Sequence, residues 1–360
     1  MRISVRLFLA ALASALTSLP EVAQAQYFAP ANSTTVSSSS SYYGQSSDES
    51  NYLTGTVEAQ AQSPTAGALA KCDSGDWCDC WDDVGTWRDN TLFWFGGEAY
   101  KSFGDTAQPP GVATGFMNSA GLVGGFNTGF ALLDGSPIRG QLGASYGAYD
   151  LKGRDSISES SSEQQAFITV GVYKRSEILA EDRISWGLVY DQFWAHQWGL
   201  FASELYVGQV RGIAGYAINQ HHEFGVWGTF RSTGDNSVGP ISALPVRAMN
   251  QYNVYWRYNW DFGGQTMLYV GGHDPADIGS WLFGLLGQAP LSDSTALYGN
   301  FTYAFPGSAT GAVGANELEW NFGLGLVYSW GGKAVSKTVS GQQGLPLLPV
   351  ANNGSFLITD

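Results

Sequence analysis

Two stretches of the chain alternate apolar and polar residues with period two over an unusual length. They cover residues 252–262 and 318–330. Strands of soluble proteins mostly run about five or six residues, whereas a tilted strand that crosses a bilayer needs about 9 to 11. The alternation predicts long strands with one apolar and one polar face. The residues predicted to face lipid are Tyr252, Val254, Trp256, Tyr258, Trp260, Trp320, Phe322, Leu324, Leu326, Tyr328 and Trp330.

The stretch 318–330 also sorts its apolar side chains along the strand. Aromatic residues lie toward both ends, and Leu324 and Leu326 lie between them. Aromatic rings favour the two membrane interfaces and aliphatic side chains favour mid-depth. The order therefore indicates a strand that spans a membrane.

Twelve period-two segments lie between Leu92 and Trp330. Short links such as 134–137 and 263–264 alternate with longer ones such as 150–163, 193–202 and 232–248. Bacterial outer-membrane barrels combine an even strand number with tight turns on one side and longer loops on the other. We therefore expect an all-β fold, a single antiparallel transmembrane β-barrel of about twelve strands.

The opposite faces of the predicted strands carry polar side chains and charges of both signs. In a pore such residues orient polar solutes and set a weak ion preference. They could equally pair with one another and close the interior, and both interpretations stay open. The residues assigned to the lumen are Arg139, Arg183, Asp191, Glu223, Arg231, Asn253, Arg257, Asp261, Asn300, Glu319 and Asn321.

The amino-acid composition argues against several classes of fold and function. The 360 residues carry 17 Lys and Arg against 31 Asp and Glu, a net charge of −14. That balance argues against nucleic-acid binding. Charged residues make up 13% of the chain, aromatic residues 14%, and 47 residues are Gly. This composition disfavours a helical bundle or a Rossmann enzyme, and it suits an exported β-rich protein.

The N-terminus reads as an export signal. Arg2 and Arg6 precede or flank an apolar run, and Ala23-Gln24-Ala25 is a small-x-small cleavage site. We expect a signal peptide over 1–25 and a disordered segment over 26–85 that is Ser-rich and then Cys- and Trp-rich. The barrel is expected over 86–330 and a C-terminal tail over 331–360. The tail implies either an internal assembly signal or a periplasmic appendage.

The three cysteines cluster at Cys72, Cys78 and Cys80. Three thiolates could bind a metal, but no His and no second Cys pair completes a zinc set. In an oxidising envelope the favoured interpretation is a local disulfide with one thiol left over, and the pairing stays open. We expect no metal and no cofactor.

The arrangement resembles the uncharacterised outer-membrane β-barrel proteins of planctomycete-type bacteria. The resemblance rests on Cys72-x5-Cys78-x-Cys80-Trp81, on the strand 318–330, and on the segment 345–357, which begins Leu-Pro-Leu-Leu-Pro-Val. It implies the same fold and location, and it assigns no substrate and no catalytic residue.

Together these features predict an outer-membrane β-barrel with no catalytic activity, either a narrow porin-like pore or a structural envelope protein. The expected partners are outer-membrane lipid, the barrel-assembly machinery and small polar solutes, and no nucleic acid. A soluble secreted β-rich binding or adhesion protein is the alternative. A barrel hydrolase is less favoured, because nothing marks a Ser nucleophile.

Overall fold

A computed structural model describes residues 87–102, 118–133, 135–155, 160–199, 202–238, 244–274, 281–305, 319–331, 334 and 345–359. All of them belong to one unit, Trp81–Asp360. The predicted signal peptide and the whole predicted segment 26–85, with the three cysteines, lie outside the described residues. The division into signal, N-terminal segment, barrel and tail therefore stays a prediction.

The described chain is built from β-strands. Two short 3-10 helices accompany them, Trp87–Asn90 and Ile178–Ala180. The strands are β1 Thr91–Lys101, β2 Ser119–Ala131, β3 Arg139–Asp155, β4 Ser160–Lys174, β5 Ile184–Trp198, β6 Ser203–Ala217, β7 His222–Thr233, β8 Asp235–Val238, β9 Leu244–Ala248, β10 Asn250–Asn259, β11 Gln265–Asp274, β12 Leu282–Pro290, β13 Thr295–Ala304, β14 Glu319–Ser329 and β15 Ile358–Thr359. No helix in the described ranges has the length and apolar character needed to span a bilayer.

Twelve of these strands form one closed barrel, in the order β1-β14-β13-β12-β11-β10-β7-β6-β5-β4-β3-β2. Each strand pairs antiparallel with its neighbours, and β1 closes the ring by pairing with β14 from Leu92↔Ser329 to Lys101↔Trp320. Closure leaves no unpaired edge, so the backbone polar groups of every strand have partners without water. We call the end of the barrel at Thr91 and Ser329 the lower end and the end at Lys101 and Glu319 the upper end.

The outer face of the barrel is apolar and the inner face is polar. In β10, Tyr252 and Val254 are 52% and 56% exposed, while Gln251 and Asn253 between them are 0% and 3% exposed. The same alternation runs along β14. An apolar exterior around a closed strand ring is what the hydrocarbon core of a bilayer requires. The predicted fold class, a single antiparallel transmembrane barrel of twelve strands, is confirmed.

The links at the upper end differ from the prediction. The segments 150–163 and 193–202 were expected to be long loops. Instead β3, β4 and β5 continue through most of both segments, with lengths of 17, 15 and 15 residues. Cross-strand pairing satisfies more backbone groups than a solvated loop would, and a register shift between Tyr149 and Arg154 lets β3 extend.

A small second sheet was not anticipated. The link between β7 and β10 forms a hairpin from β8 and β9, and β15 at the C-terminus pairs with β9 in the order β15-β9-β8. Val246 and Ala248 of β9 join a buried cluster with Phe356 and Ile358 of the C-terminal segment. The barrel-wall residues Phe167, Phe193, Ala195, Trp198, Leu205 and Val207 complete this cluster. The hairpin and the C-terminus therefore pack inside the barrel near its upper end.

The lipid-exposed face gives a direct test. Leu324 lies at the middle of β14 and is 37% exposed. An Arg at the bilayer midplane costs about 2–4 kcal/mol, because its charge loses water without gaining a partner. We expect Leu324→Arg to lower sharply the fraction of protein that folds into lipid vesicles, measured by the mobility difference between unboiled and boiled samples.

The matched control is Leu133→Arg, because Leu133 is 71% exposed in the turn between β2 and β3. This variant should fold as well as the parent. Equal folding of the two Arg variants would mean that the middle of β14 does not contact lipid.

Candidate functional site

The lumen of the barrel holds the C-terminal segment of the chain. Residues 345–359, which we call the tail segment, lie against the inner wall, and Leu347 and Leu357 in it are 5% and 2% exposed. The segment begins near the lower end, where it contacts Arg175 just after β4. It ends near the upper end, where Ile358 pairs with Ala248 of β9. This corrects the idea of a periplasmic appendage, because the tail segment runs through the barrel.

Amide side chains of the wall bind the backbone of the tail segment. The carbonyl oxygen of Leu348 accepts from Asn127 Nδ2 at 2.9 Å and from Gln141 Nε2 at 2.7 Å. The carbonyl oxygen of Ser355 accepts from Gln209 Nε2 at 3.1 Å. Gln251 Nε2 donates to the same oxygen at 3.2 Å. Side-chain donors thus take the place of a partner strand for this part of the chain.

Two arginines bind the proline-containing part of the tail segment. Arg175 donates from Nε to the Leu345 carbonyl at 2.7 Å and from Nη2 to the Pro346 carbonyl at 2.6 Å. Arg211 Nη2 donates to the Pro349 carbonyl at 2.7 Å. Proline lacks an N–H and cannot continue a β-ladder, so its carbonyls need such donors. Burial, followed by the charge of Arg257, lowers the pKa of Arg175 to about 10, and the guanidinium stays protonated at neutral pH.

Two glycines of the wall make room for the tail segment. A Cβ added at Gly187 of β5 would lie 2.6 Å from Leu348 Cδ1. A Cβ added at Gly143 of β3 would collide with Val350 Cγ2. Both contacts are shorter than side-chain packing tolerates. These glycines therefore give the inner wall the depth in which the tail segment lies.

A buried ion pair lies beside the tail segment. Asp191 and Arg211 are 0% and 2% exposed, and Arg211 Nε lies 3.0 Å from Asp191 Oδ2. Thr169 Oγ1 and Gln209 Nε2 also donate to the Asp191 carboxylate, at 2.6 and 3.1 Å. Breaking a buried pair by removing one partner costs about 3–5 kcal/mol. Because Thr169 Oγ1 also accepts from the backbone N–H of Ala351 at 3.0 Å, the pair and the tail segment form one network.

A second buried pair lies nearer the lower end. Arg257 Nη1 donates to Glu223 Oε1 at 2.8 Å, and the two residues are 5% and 0% exposed. The same carboxylate oxygen accepts from Tyr255 OH at 2.5 Å and from Ser185 Oγ at 3.1 Å. In a low-dielectric interior these bonds keep both charges compensated.

Two carboxylates near the upper end are bound by tyrosines. Tyr149 OH donates to Glu98, and Tyr100 OH donates to Glu163 at 2.5 Å. Asn353 of the tail segment reaches this cluster, with its Nδ2 at 3.4 Å from Tyr149 OH. Further donors to the two carboxylates are Asn321, Ser119 and Gln165. The polar network of the upper lumen thus includes both the wall and the tail segment.

The structure places most of the residues assigned to the lumen on the inner face. Arg139 is half-buried at the first residue of β3. The buried ones are Asp191, Glu223, Asn253, Arg257, Asn300, Glu319 and Asn321. Their contacts with solutes stay a prediction. Many belong to the networks described above, so pairing within the interior describes them better than open exposure to a wide pore.

Three residues assigned to the lumen lie elsewhere. Arg183 is in the turn before β5, and its Nη1 donates to the Ile218 carbonyl of the neighbouring turn at 2.6 Å. Asp261 follows β10, and its side chain is 92% exposed. Arg231 is exposed in the last part of β7, beyond the buried Thr229. The assignment extended strand alternation past the point where each strand leaves the barrel wall.

The residues assigned to lipid lie on the outside of the described structure, with Trp260 and Trp330 in turns directly after β10 and β14. The exposed ones are Tyr252, Val254, Trp256, Trp260, Leu324, Leu326, Tyr328 and Trp330, and the intermediate ones are Tyr258, Trp320 and Phe322. Their contact with lipid itself stays a prediction.

Most of the residues that bind the tail segment were not predicted from the sequence. Arg211, Glu98 and Glu163 have the inward parity of their strands, so alternation carried a signal for them. Arg175 lies outside the strands and carried none. Within the described ranges, no group of three or more His, Cys, Asp or Glu residues could hold a metal ion.

The space that Gly187 leaves for Leu348 predicts that a larger side chain there displaces the tail segment. Gly187→Leu places a side chain where Leu348 lies and should push the tail segment out of its position. We expect carboxypeptidase to trim the folded variant at least tenfold faster than the parent, whose Thr359 is 0% exposed. Intact-mass spectra over a time course measure the rate.

The control is Gly212→Leu, because the nearest atom to a Cβ there is 3.8 Å away. Gly212 lies between the inward-facing Arg211 and Ile213, so its added side chain points outward. The tail segment is not held at Gly187 if the two variants are trimmed at the same rate.

Comparison with known proteins places the chain in a family. Among curated proteins, none matches it. It is similar to an outer-membrane channel from Pseudomonas putida F1, with a TM-score of 0.44, 13% identity, and coverage of 71% of this chain and 98% of that one. It is also similar to the NanC porin, with a TM-score of 0.35, 13% identity and coverage of 66% and 98%. A Salmonella typhi outer-membrane phospholipase dimer gives a TM-score of 0.39, 9% identity and coverage of 66% and 90%. Residues 90–358 match the model of a family of unknown function, DUF6666, and the chain belongs to that family.

Proposed function

We propose that this chain is an exported outer-membrane protein with a narrow, porin-like passage whose width is set by its own tail segment. The observation that carries the proposal is a cavity of about 260 Å³ inside the barrel, beside the tail segment. A closed strand ring with an apolar exterior supports the membrane location.

The proline-containing part of the tail segment binds one side of the lumen, and Ser355 reaches across to Gln251 of β10. Asn127 on β2, Gln141 on β3 and Arg211 on β6 donate to carbonyls of the tail segment, and Thr169 on β4 accepts from its backbone. The cavity continues along the inner faces of β1 and of β11 to β14, as its lining residues Trp94, Met267, Leu286, Tyr298 and Val327 indicate. A solute path on that side would bypass the tail segment.

The tail segment is held in the lumen by many bonds that are individually weak. Wall side chains donate to its backbone carbonyls, and such bonds contribute about 0.5–1.5 kcal/mol each, or about 1.5–3 when the donor is charged. The apolar residues of the tail segment add burial against the wall. The sum holds the tail segment in place, and a few substitutions suffice to weaken it.

A structural envelope protein with a closed lumen is the second candidate. The observation in its favour is the apolar cluster near the upper end, where Val246 and Ala248 of the hairpin pack with Phe356 and Ile358. A barrel filled at that end would have no solute path. The conductance experiment below separates the two candidates.

The other elements of the proposal concern location and partners. A signal peptide over 1–25 would direct export, and the barrel-assembly machinery would insert the barrel into outer-membrane lipid. A disulfide among Cys72, Cys78 and Cys80 would suit the oxidising envelope. The segment 345–357, on which the likeness to planctomycete-type barrels rests, is also part of the chain that lies in the lumen.

Two alternatives have less support. A soluble secreted protein would expose the apolar residues of the barrel exterior, such as Phe95, Val254 and Leu326, to water. A hydrolase would need free carboxylates or an activated nucleophile, but Asp191 and Glu223 are held in ion pairs with arginines. We therefore propose no catalytic role.

Removal of the tail segment should widen the passage. We expect a chain truncated after residue 334 to show a single-channel conductance several-fold above that of the full chain in planar bilayers. Altered mobility of unboiled samples verifies that both proteins are folded. A folded, truncated barrel that conducts no better than the full chain would contradict the proposed role of the tail segment.

A gentler variant covers the case in which truncation impairs folding. Asn127→Ala combined with Gln141→Ala removes both donors to the Leu348 carbonyl. The double variant should show frequent transitions to a larger conductance. Gln164→Ala is the matched control, because Gln164 is exposed on the outer face and binds only the Tyr146 hydroxyl among the hydrogen bonds of the described chain. It should behave as the parent does.

A further inference from the structure

The cavity beside the tail segment has mostly apolar walls. Trp94, Met267, Leu286 and Val327 line it together with the apolar tail residue Leu347. Its volume of about 260 Å³ exceeds the cavity of about 150 Å³ that is known to hold benzene in another protein. The space therefore suits a single ring or a short branched chain better than a large solute.

Two hydrogen-bond donors in the cavity wall lack acceptors within the described chain. They are Nε1 of Trp227 and Nε of Arg257, and both atoms are buried. The two side chains line the cavity and are 8% and 5% exposed. A buried donor without an acceptor costs about 1–3 kcal/mol. A ligand with an accepting oxygen would recover part of that loss.

The cavity wall carries charges of both signs. The charged side chains that line it are Glu98, Arg175, Arg211 and Arg257, three cations and one carboxylate. Asp191 and Glu223 compensate Arg211 and Arg257 from the wall side. Arg175 binds two neutral carbonyls of the tail segment. What distinguishes one part of the lining is the pair of donors without acceptors in the described part of the chain, Trp227 Nε1 and Arg257 Nε, beside apolar surface.

We propose that this cavity binds small apolar carboxylates, with the ring or chain between Trp94, Leu286 and Val327 and the carboxylate toward Trp227 and Arg257. The inference rests on the proposed function, because it names the class of solute that would enter the passage. An apolar body supplies burial, and the two donors supply orientation and selectivity for the anion. The sequence alone predicts small polar solutes, and that expectation stays a prediction.

Equilibrium dialysis with radiolabelled probes tests the proposal on the full chain folded in detergent. The probes are benzoate, benzylammonium, which has the same ring and the opposite charge, and acetate, which has the carboxylate without the ring. We expect saturable benzoate binding and at least tenfold weaker binding of both other probes. Absent benzoate binding, or equal binding of benzoate and benzylammonium, overturns the proposal.

Three substitutions test whether benzoate binds in the cavity. Val327→Phe fills space inside and should weaken benzoate binding at least tenfold, whereas Leu326→Phe, on the adjacent outward-facing residue, should not change it. Trp227→Phe keeps a ring and removes the Nε1 donor, so benzoate binding should weaken about five- to tenfold. Altered mobility of unboiled samples shows that each variant is folded.

The outcomes separate this inference from the proposed function. Unchanged benzoate binding in Val327→Phe overturns the cavity site, whatever the conductance. Saturable, Val327-dependent binding by a barrel that never conducts supports the site and rejects the pore. A conducting barrel without benzoate binding supports the pore and rejects this site.

Discussion

The pairing of β1 with β14 is the constraint on which the rest of the structure depends. It joins the first and last barrel strands through a register from Leu92↔Ser329 to Lys101↔Trp320. Without it the sheet would have two open edges, and their unpaired backbone groups could not enter hydrocarbon. Once the ring is closed, strand alternation alone assigns one face to lipid and the other to the lumen.

Closure also creates an interior that must be filled or wetted. Twelve strands enclose more space than their own inward side chains occupy, and the tail segment takes up part of it. Its prolines prevent an additional β-ladder, so its carbonyls accept from the side chains of Asn127, Gln141, Arg175 and Arg211 instead. The polar character of the inner wall therefore follows as much from binding a peptide as from contact with water.

The networks of the lumen explain why charges are tolerated there. Asp191 with Arg211 and Glu223 with Arg257 form compensated pairs, each with additional neutral donors. A buried pair of this kind contributes little net stability, but the loss of either partner is costly. Such pairs hold the wall in a fixed arrangement around the tail segment and the neighbouring cavity.

The barrel could be predicted from sequence because its signal is local. Most barrel strands alternate with period two, and the alternation of Tyr252, Val254 and Trp256 is visible without knowing any partner. The hairpin of β8 and β9 has no such repeat, and β15 has two residues whose partners lie far away in sequence. Local patterns carry no information on those contacts.

In the candidate site, too, local patterns predicted the face of a residue but not its distant contacts. Alternation placed Asp191, Glu223 and Asn321 on the inner face, but it could not indicate their contacts. Gln141 contacts Leu348 across 207 positions of the chain, a distance over which no sequence period extends. The misplaced Arg183 and Asp261 show the converse, because alternation stops at the strand end, a position that local patterns locate poorly.

The central claim is that the tail segment lies inside the membrane-embedded barrel, and a disulfide between wall and tail tests it most directly. In a chain with Cys72, Cys78 and Cys80 changed to Ser, Gly143→Cys is combined with Val350→Cys, since a Cβ at 143 would touch Val350. The control pair is Leu142→Cys with Val350→Cys, because Leu142 is exposed on the outer face. After oxidation in intact outer membranes, peptide mapping by mass spectrometry should find the 143–350 cross-link in most molecules and no 142–350 cross-link. Folded protein that forms neither cross-link, or both equally, would contradict the account.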